Sequence, residues 1–327
     1  MIRILIVMLS VLVSIGALNS LKNVHAAEEY PVKPIIFIVA NEAGSDADII
    51  SRAVALRASQ MLGKPIVIVN KTGASGFIGY SEIHDAKPDG YTIGWGGVPL
   101  IIGKLQGILP WDHHGFTPIG AYYTTSLNVF ASTRTKRPFK SIEEAISFAK
   151  SNPEEVSMVT GGKGMNSWIG AMAFQEAAGI KFNIIPQVGG GNFIATQLAG
   201  GHADLGVILL PSIKPQIDAG NIRFLAVIGS ERDPSYKDVP TLKELGYDVE
   251  FEACGFVMGP PKMPKNISDK LAEAFRIAVN DPEYEKFVIG RFVRPLYLPP
   301  DKILPYFDKR RDEVRSMMEK AGILKKK

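Results

Sequence analysis

From residue 30 onward, short runs of β-branched and aromatic residues alternate with longer stretches whose apolar positions recur every three or four residues. Residues 34–39 are short, continuous and apolar, and predict a buried strand. A helix is predicted over 46–62, with Ile49, Ile50, Ala53, Val54, Met61 and Leu62 on one face, Gly63 at its exit and Pro65 beyond. Residues 65–69 and 91–95 predict two more strands. Strand, helix and strand at these intervals mean βαβ units and a largely parallel sheet.

A second series begins near Ser126, with a strand at 127–131. Ser141-Ile142-Glu143-Glu144 is a capping box that opens a helix running to Lys150. Residues 156–159 predict a strand, and Ser167 to Ala178 a helix closed by Gly179. Strands at 183–185 and 205–209 flank a helix at 193–199, and helices at 268–280 and 301–321 fill the last third. The pattern predicts an α/β fold in two lobes, the second inserted in the first.

Length and charge add location. The 327 residues are long for one domain and suit two. Met1-Ile2-Arg3 is a basic start, Ile4 to Leu18 is nearly all apolar, and Val24-His25-Ala26 places small residues at a cleavage site. Residues 1–26 therefore read as a secretory signal cut after Ala26. The apolar run is shorter than the ~20 residues a span needs, and no cysteine follows it to carry a lipid. A periplasmic product is expected. Removing Arg3 and Lys22 takes the formal charge from +4 to about +2. No concentrated basic face is visible, so nucleic acid is not an expected partner; Lys325-Lys326-Lys327 reads as a solvated tail. Cys254, the one cysteine, has no intramolecular disulfide partner and sits among apolar residues, as a buried structural thiol would.

Three glycine-rich segments each follow a predicted strand and precede a helix. The first is Asn41-Glu42-Ala43-Gly44-Ser45-Asp46-Ala47-Asp48. The second is Thr160-Gly161-Gly162-Lys163-Gly164-Met165-Asn166-Ser167. The third is Gln187-Val188-Gly189-Gly190-Gly191-Asn192. A helix N-terminus offers free N–H groups and the positive end of the backbone dipole, which attract anions. In open α/β sheets ligands sit beyond the carboxyl ends of strands, where these segments fall. Together they make two jaws lined with donors, suited to a carboxylate.

Other chemistries lack their patterns. Gly162-Lys163-Gly164 begins a dinucleotide fingerprint, but Ser167 stands at its third glycine, and no P-loop is present. Gly73-Ala74-Ser75-Gly76 has the wrong spacing for a nucleophile elbow. His113 and His114 adjoin in a loop-like stretch without a His-x-x-x-His or carboxylate cluster, so no metal site is expected. His202, beside Asp204, reads as a surface histidine. Neither a cofactor nor catalysis is expected.

Longer motifs carry a resemblance. Tyr30-Pro31-Val32-Lys33-Pro34-Ile35 opens the mature chain, and Ala43, Gly44 and Asp48 fit an Ala-Gly-Gly-x-x-Asp pattern. Asn70-Lys71-Thr72-Gly73-Ala74-Ser75-Gly76-Phe77-Ile78-Gly79 and Lys87-Pro88-Asp89-Gly90-Tyr91-Thr92 follow in order. So do Pro138-Phe139-Lys140-Ser141, Leu198-Ala199-Gly200-Gly201-His202-Ala203-Asp204 and Asp238-Val239-Pro240-Thr241-Leu242-Lys243-Glu244-Leu245-Gly246. End to end, the mature chain resembles the solute-binding proteins of tripartite tricarboxylate transporters, the Bordetella uptake gene (Bug) family.

The resemblance implies a type II periplasmic-binding-protein fold, two α/β lobes joined by crossover strands with the ligand cleft between them. Lobe 1 is expected over 27–128 plus 250–327, and lobe 2 over 129–249. Asn41, Gly44, Ser45 and Asp46 would line one jaw, with Asp48 either touching ligand or capping its helix. Gly162, Lys163, Gly164, Asn166 and Ser167, with Gly189, Gly190 and Gly191, would line the other; Asp204 would support that jaw or reach the ligand. The implied ligand is a di- or tricarboxylate or an aromatic carboxylate. The implied partners are integral-membrane transporter subunits, served by a monomeric receptor; the alternative role is a ligand-sensing subunit of a two-component system. Several residues depart from the family pattern. Asn41, Glu42 and Asp46 are polar or acidic where it has small or apolar residues, and Gln187 replaces a tyrosine. Lys163 would pair with a second carboxylate or stand in solvent. Trp168 would stack on an aromatic ligand or pack at its helix start.

Overall fold

One long strand organises the molecule, whose computed structural model describes residues 30–187, 191–320 and 322–324. Strands β1 (Ile35–Val39), β2 (Ile66–Asn70) and β3 (Thr92–Gly96) alternate with helices α1 (Asp46–Leu62), α2 (Phe77–His84) and α3 (Val98–Leu105). The long strand β4 (Thr117–Ser132) follows. Next come α4 (Ile142–Ser151), β5 (Ser157–Gly161), α5 (Asn166–Ala178), β6 (Asn183–Gln187), α6 (Gly191–Ala199), β7 (Leu205–Leu209), α7 (Lys214–Asp218) and β8 (Ile222–Ile228). The chain finishes with β9 (Glu252–Gly259), α8 (Lys265–Val279), α9 (Pro282–Ile289), β10 (Arg294–Leu298) and α10 (Pro300–Lys320).

The first sheet pairs β1 in parallel with β2 and β3, then β3 antiparallel with β9 and β9 with the first part of β4. After Ser126, which faces Glu252, the partners of β4 change: Leu127 pairs with Leu209 of β7 and Ile228 of β8. The second sheet continues from β7 to β5 and β6 in parallel. The result is two α/β lobes that share one strand. β4 is 16 residues long, where the hydrophobic pattern predicts only 127–131. Nearly all of it is buried, so neither the alternation of a half-exposed strand nor a turn marks its length.

Helix ends follow local chemistry. Ser45 caps α1 by accepting from Asp48 N at 3.3 Å, and Gly63 ends it in the left-handed region at φ 66°. Ser141 accepts from Glu144 N at 3.3 Å, while Glu144 reaches back to Lys140 N at 2.7 Å, close to the capping box expected. α1 buries Ile50, Val54, Ala55, Ala58 and Leu62, whereas Met61 is exposed and Ile49 half-buried, unlike the face read from spacing. Its alanines let α8 pack close. Cys254 lies buried in β9, and burial pushes its thiol up to about 12, which leaves it inert. Among the described residues no helix is long and apolar enough to cross a membrane.

Candidate functional site

β1 delivers the chain into the first glycine loop, and Asp48 holds that loop from beneath. Its Oδ2 accepts from Gly44 N at 2.9 Å and Arg52 Nε at 3.1 Å; its Oδ1 accepts from Asn70 Nδ2 at 2.9 Å. Asn70 Nδ2 also donates to the Asn41 carbonyl at 3.0 Å. Burial works to raise the Asp48 carboxyl, yet Arg52, the Gly44 amide and Asn70 outweigh it and hold the group below its ordinary value. Asp48 is therefore only 2% exposed, and its oxygens are engaged inside the loop. Ser45, not Asp48, caps the helix, and Asp48 instead fastens the first loop, a role apart from the two expected of it. Gly44 sits at φ +80°, a conformation side chains rarely adopt. At the start of α1 the amides of Asp46 and Ala47 have no intrahelical acceptor.

The second loop is built the same way. Ser167 Oγ accepts from Gly161 N at 2.8 Å, and Met165 N donates to the Gly162 carbonyl at 3.0 Å. Gly164 takes φ +82°. These contacts fold the loop back on the first turn of α5, where Asn166 and Ser167 are half-buried. Lys163 and Met165 are exposed, and Trp168 packs against the core. In the third loop Gly189 and Gly190 lie outside the described residues; Gly191 begins α6.

Beside the glycine loops, two hydrogen bonds cross between the lobes. Ser212 Oγ, in the turn after β7, donates to Asp46 Oδ2 at 3.1 Å. A Cβ on Gly191 would lie 2.4 Å from that same Oγ, so Asp46, Ser212 and the start of α6 meet at one point. Gln106, at the end of α3, donates from Nε2 to the Gly164 carbonyl at 3.4 Å. Tyr123 lies close enough to Asp46 that, after burial, the Asp46 charge adds to raising its hydroxyl. Asn41 Oδ1 is buried with no hydrogen-bond partner among the described residues. Ser212, Gln106 and Tyr123 were not legible as site residues in sequence. A fourth strand-to-helix glycine loop, Trp95-Gly96-Gly97-Val98, was there to be read.

Asp204 lies away from the glycine loops. Its Oδ2 accepts from Ser157 N at 3.0 Å, Ser157 Oγ at 2.8 Å and Arg137 Nη2 at 3.3 Å. Asp204 and Ser157 stand where β7 and β5 begin, at the opposite end of the sheet from the glycine loops. There it braces the lobe, in keeping with the supporting one of its two expected roles. A depression of about 490 Å³ lies between α3 and α10, lined by Lys104, Asp112, Arg311 and Arg315.

Asp46 is the unusual charge. Burial raises its carboxyl from 3.8 to about 6, against the hydrogen bond from Ser212. Because the folded value is the higher one, the proton on Asp46 favours the folded, closed form. That contribution is complete below 3.8 and lost as pH rises through about 6. Asp46→Asn should therefore gain melting temperature over the wild type steadily between about pH 4 and pH 7. A constant difference across that window would contradict the assignment. The loops contain no histidine or cysteine, and their donors are amides, hydroxyls and the exposed Lys163 ammonium. Such a site can hold an anion through N–H groups without activating a nucleophile.

Known proteins share this architecture. The family model described as "Tripartite tricarboxylate transporter family receptor" (TctC) matches residues 50–322. Protein BugT of Bordetella pertussis is 28% identical over 285 residues, covering 85% of this chain and 86% of BugT. The structure of periplasmic binding protein BugD superposes with a TM-score of 0.79 at 25% identity, covering 90% of this chain and 99% of BugD. An R. palustris protein solved with adipate superposes at 0.82 and 23% identity, covering 90% of this chain and 99% of its own; that likeness is one of fold. The two lobes, the glycine loops at the carboxyl ends of their strands and the match over residues 50–322 agree: the chain belongs to the tripartite tricarboxylate transporter receptor (TctC) family of solute-binding proteins.

Proposed function

We propose that this chain is a periplasmic receptor that takes one small organic acid between its lobes and delivers it, unaltered, to an integral-membrane transporter. The observation that carries this reading is the meeting of strand-to-helix loops from both sheets, Asp46 with Ser212 beside Gly191 and Gln106 with Gly164. A ligand held by amides from both sides stabilises the closed population over the open one, and only a closed receptor need dock on the transporter. The amides at the starts of α1, α5 and α6 are assigned to one carboxylate of the ligand. Lys163, exposed at the rim, is assigned to a second. That this fold holds adipate in an R. palustris protein fits a dicarboxylate.

The change of partners along β4 supports the lobe division at 27–128 with 250–327 and 129–249. The signal at 1–26 lies outside the described residues; removal of that segment, export and action as a monomer belong to the same proposal. A thermal-shift screen of residues 27–327 against dicarboxylates, tricarboxylates, aromatic acids and amino acids tests it. A hundredfold excess of a true ligand over its dissociation constant adds about 2.7 kcal/mol of stability. A shift with one class of acid is the expected result. Shifts only with neutral or cationic solutes would mean that Glu42 and Asp46 have remade the pocket and the carboxylate assignment is wrong.

A further inference from the structure

Away from the cleft, the fold joins residues that sequence spacing kept apart. His113 and His114 occupy a single 3-10 turn, His113–Gly115, and Asp308 projects from α10. His113 Nε2 lies 3.3 Å and His114 Nε2 2.8 Å from the same oxygen, Asp308 Oδ1. The ligating atoms of the three side chains fall within 4.8 Å of one another. Two neighbouring histidines in an extended strand would point to opposite sides; in this turn their rings lie 4.4 Å apart and converge.

We propose that His113, His114 and Asp308 form a binding site for a divalent transition-metal ion of the zinc, nickel or copper type. Two imidazole nitrogens and one carboxylate oxygen suit borderline ions and disfavour magnesium or calcium, which take oxygen ligands. Around a tetrahedral ion with bonds of ~2.1 Å the ligand atoms stand about 3.4 Å apart. The Nε2 to Oδ1 distances of 3.3 and 2.8 Å are already near that edge.

The supports are fixed. Asp112 Oδ1 accepts from His114 N at 3.0 Å and holds the turn, and the His113 ring is fully buried beside Phe307, the residue before Asp308. His113 Nδ1 has no partner among the described residues, so the ring's recorded polar contact is the one it makes to Asp308. His114 and Asp308 are partly exposed, and Asp112 and Arg311 beside them line the 490 Å³ depression, which gives solvent a route to the remaining coordination positions. One neighbour opposes the ion. Arg311 Nη1 donates to Asp308 Oδ1 at 2.8 Å and competes for the same oxygen. α10 packs on both α3 and α5, so an ion here would tie the turn to a helix that touches both lobes.

The test is isothermal titration of the untagged, chelator-treated protein with zinc, nickel and copper chlorides, with magnesium and calcium alongside. One equivalent of a transition ion per chain is expected, with a raised melting temperature and no response to magnesium or calcium. Exposed His114→Ala and Asp308→Asn should each weaken binding about tenfold or more, whereas Arg311→Leu should tighten it by freeing Asp308. No binding of any of the three transition ions would overturn the site. So would binding that His114→Ala leaves unchanged, which would place the ion elsewhere, or an equal response to magnesium and calcium.

Discussion

Replacing Glu252 by alanine is expected to lower the unfolding free energy by about 3 kcal/mol, the low end of what removing one partner of a buried ion pair costs. Glu252 faces Ser126 where β4 passes from one sheet to the other. Its Oε1 accepts from Ser230 Oγ at 2.6 Å and Arg294 Nη2 at 2.7 Å, and its Oε2 from Arg310 Nη2 at 3.2 Å. Those arginines come from β10 and α10, so one carboxylate gathers three elements at the junction of the lobes. Alanine leaves the Arg310 guanidinium in place, only 8% exposed, without its buried partner. Glu313 at 2.8 Å from Arg310 and Glu231 at 3.0 Å from Arg294 remain, which is why the low end applies.

Burial works to raise the Glu252 carboxyl, but Ser230, Arg294 and Arg310 together hold it below its ordinary value. Its contribution is therefore present above the unfolded value of 4.5 and fades as pH falls through the lower folded one. Urea unfolding should show the full loss near neutral pH and a shrinking one below about pH 4. A variant within about 1 kcal/mol of the wild type at neutral pH would mean that the carboxylate's desolvation cancels its pairing.

The second large effect is on binding. Gly164→Val puts a side chain at φ +82°, with its Cβ 2.0 Å from Gln106 Nε2 of the facing lobe. Such backbone strain costs about 1–3 kcal/mol, and the flexible Gln106 side chain must swing aside, giving up its hydrogen bond to the Gly164 carbonyl of the facing lobe. Affinity for the acid should fall about tenfold or more, at ~1.4 kcal/mol per factor of ten. Gln106→Ala removes the collision and leaves the strain, so the double variant should recover part of the loss. Full affinity in Gly164→Val would remove the second loop from the site.

The alternation of strands and helices carried the fold, because short apolar runs and capped amphipathic stretches are local signals. Burial on all sides concealed the rest: β4 shows a strand pattern only where Leu127 to Ala131 stands out, and its first part looks like any apolar segment. The site was legible to the same extent. Glycine and helix-start chemistry marked Gly44, Gly164 and Gly191, since φ and N-terminal amides are properties of the local chain. Asp46 against Ser212 is a contact across 166 residues, and its outcome, a carboxyl raised to about 6, depends on tertiary burial alone. Asp48 and Asp204 look alike in sequence, as acids next to glycine motifs. Only the fold shows that one fastens the first loop through Arg52 and Asn70 while the other stands at the far end of the sheet. His113 and His114 carried no ligand spacing because their third partner lies nearly two hundred residues away.

The most direct measurement is calorimetric titration of the mature protein with the acid that gives the largest thermal shift, followed by NMR assay of the recovered acid, in the wild type and in Gly164→Val. One equivalent bound per chain, the acid returned unchanged, and binding weakened about tenfold or more in the variant are expected. Consumption of the acid, or equal affinity in both proteins, would contradict a carboxylate receptor whose lobes close on the glycine loops.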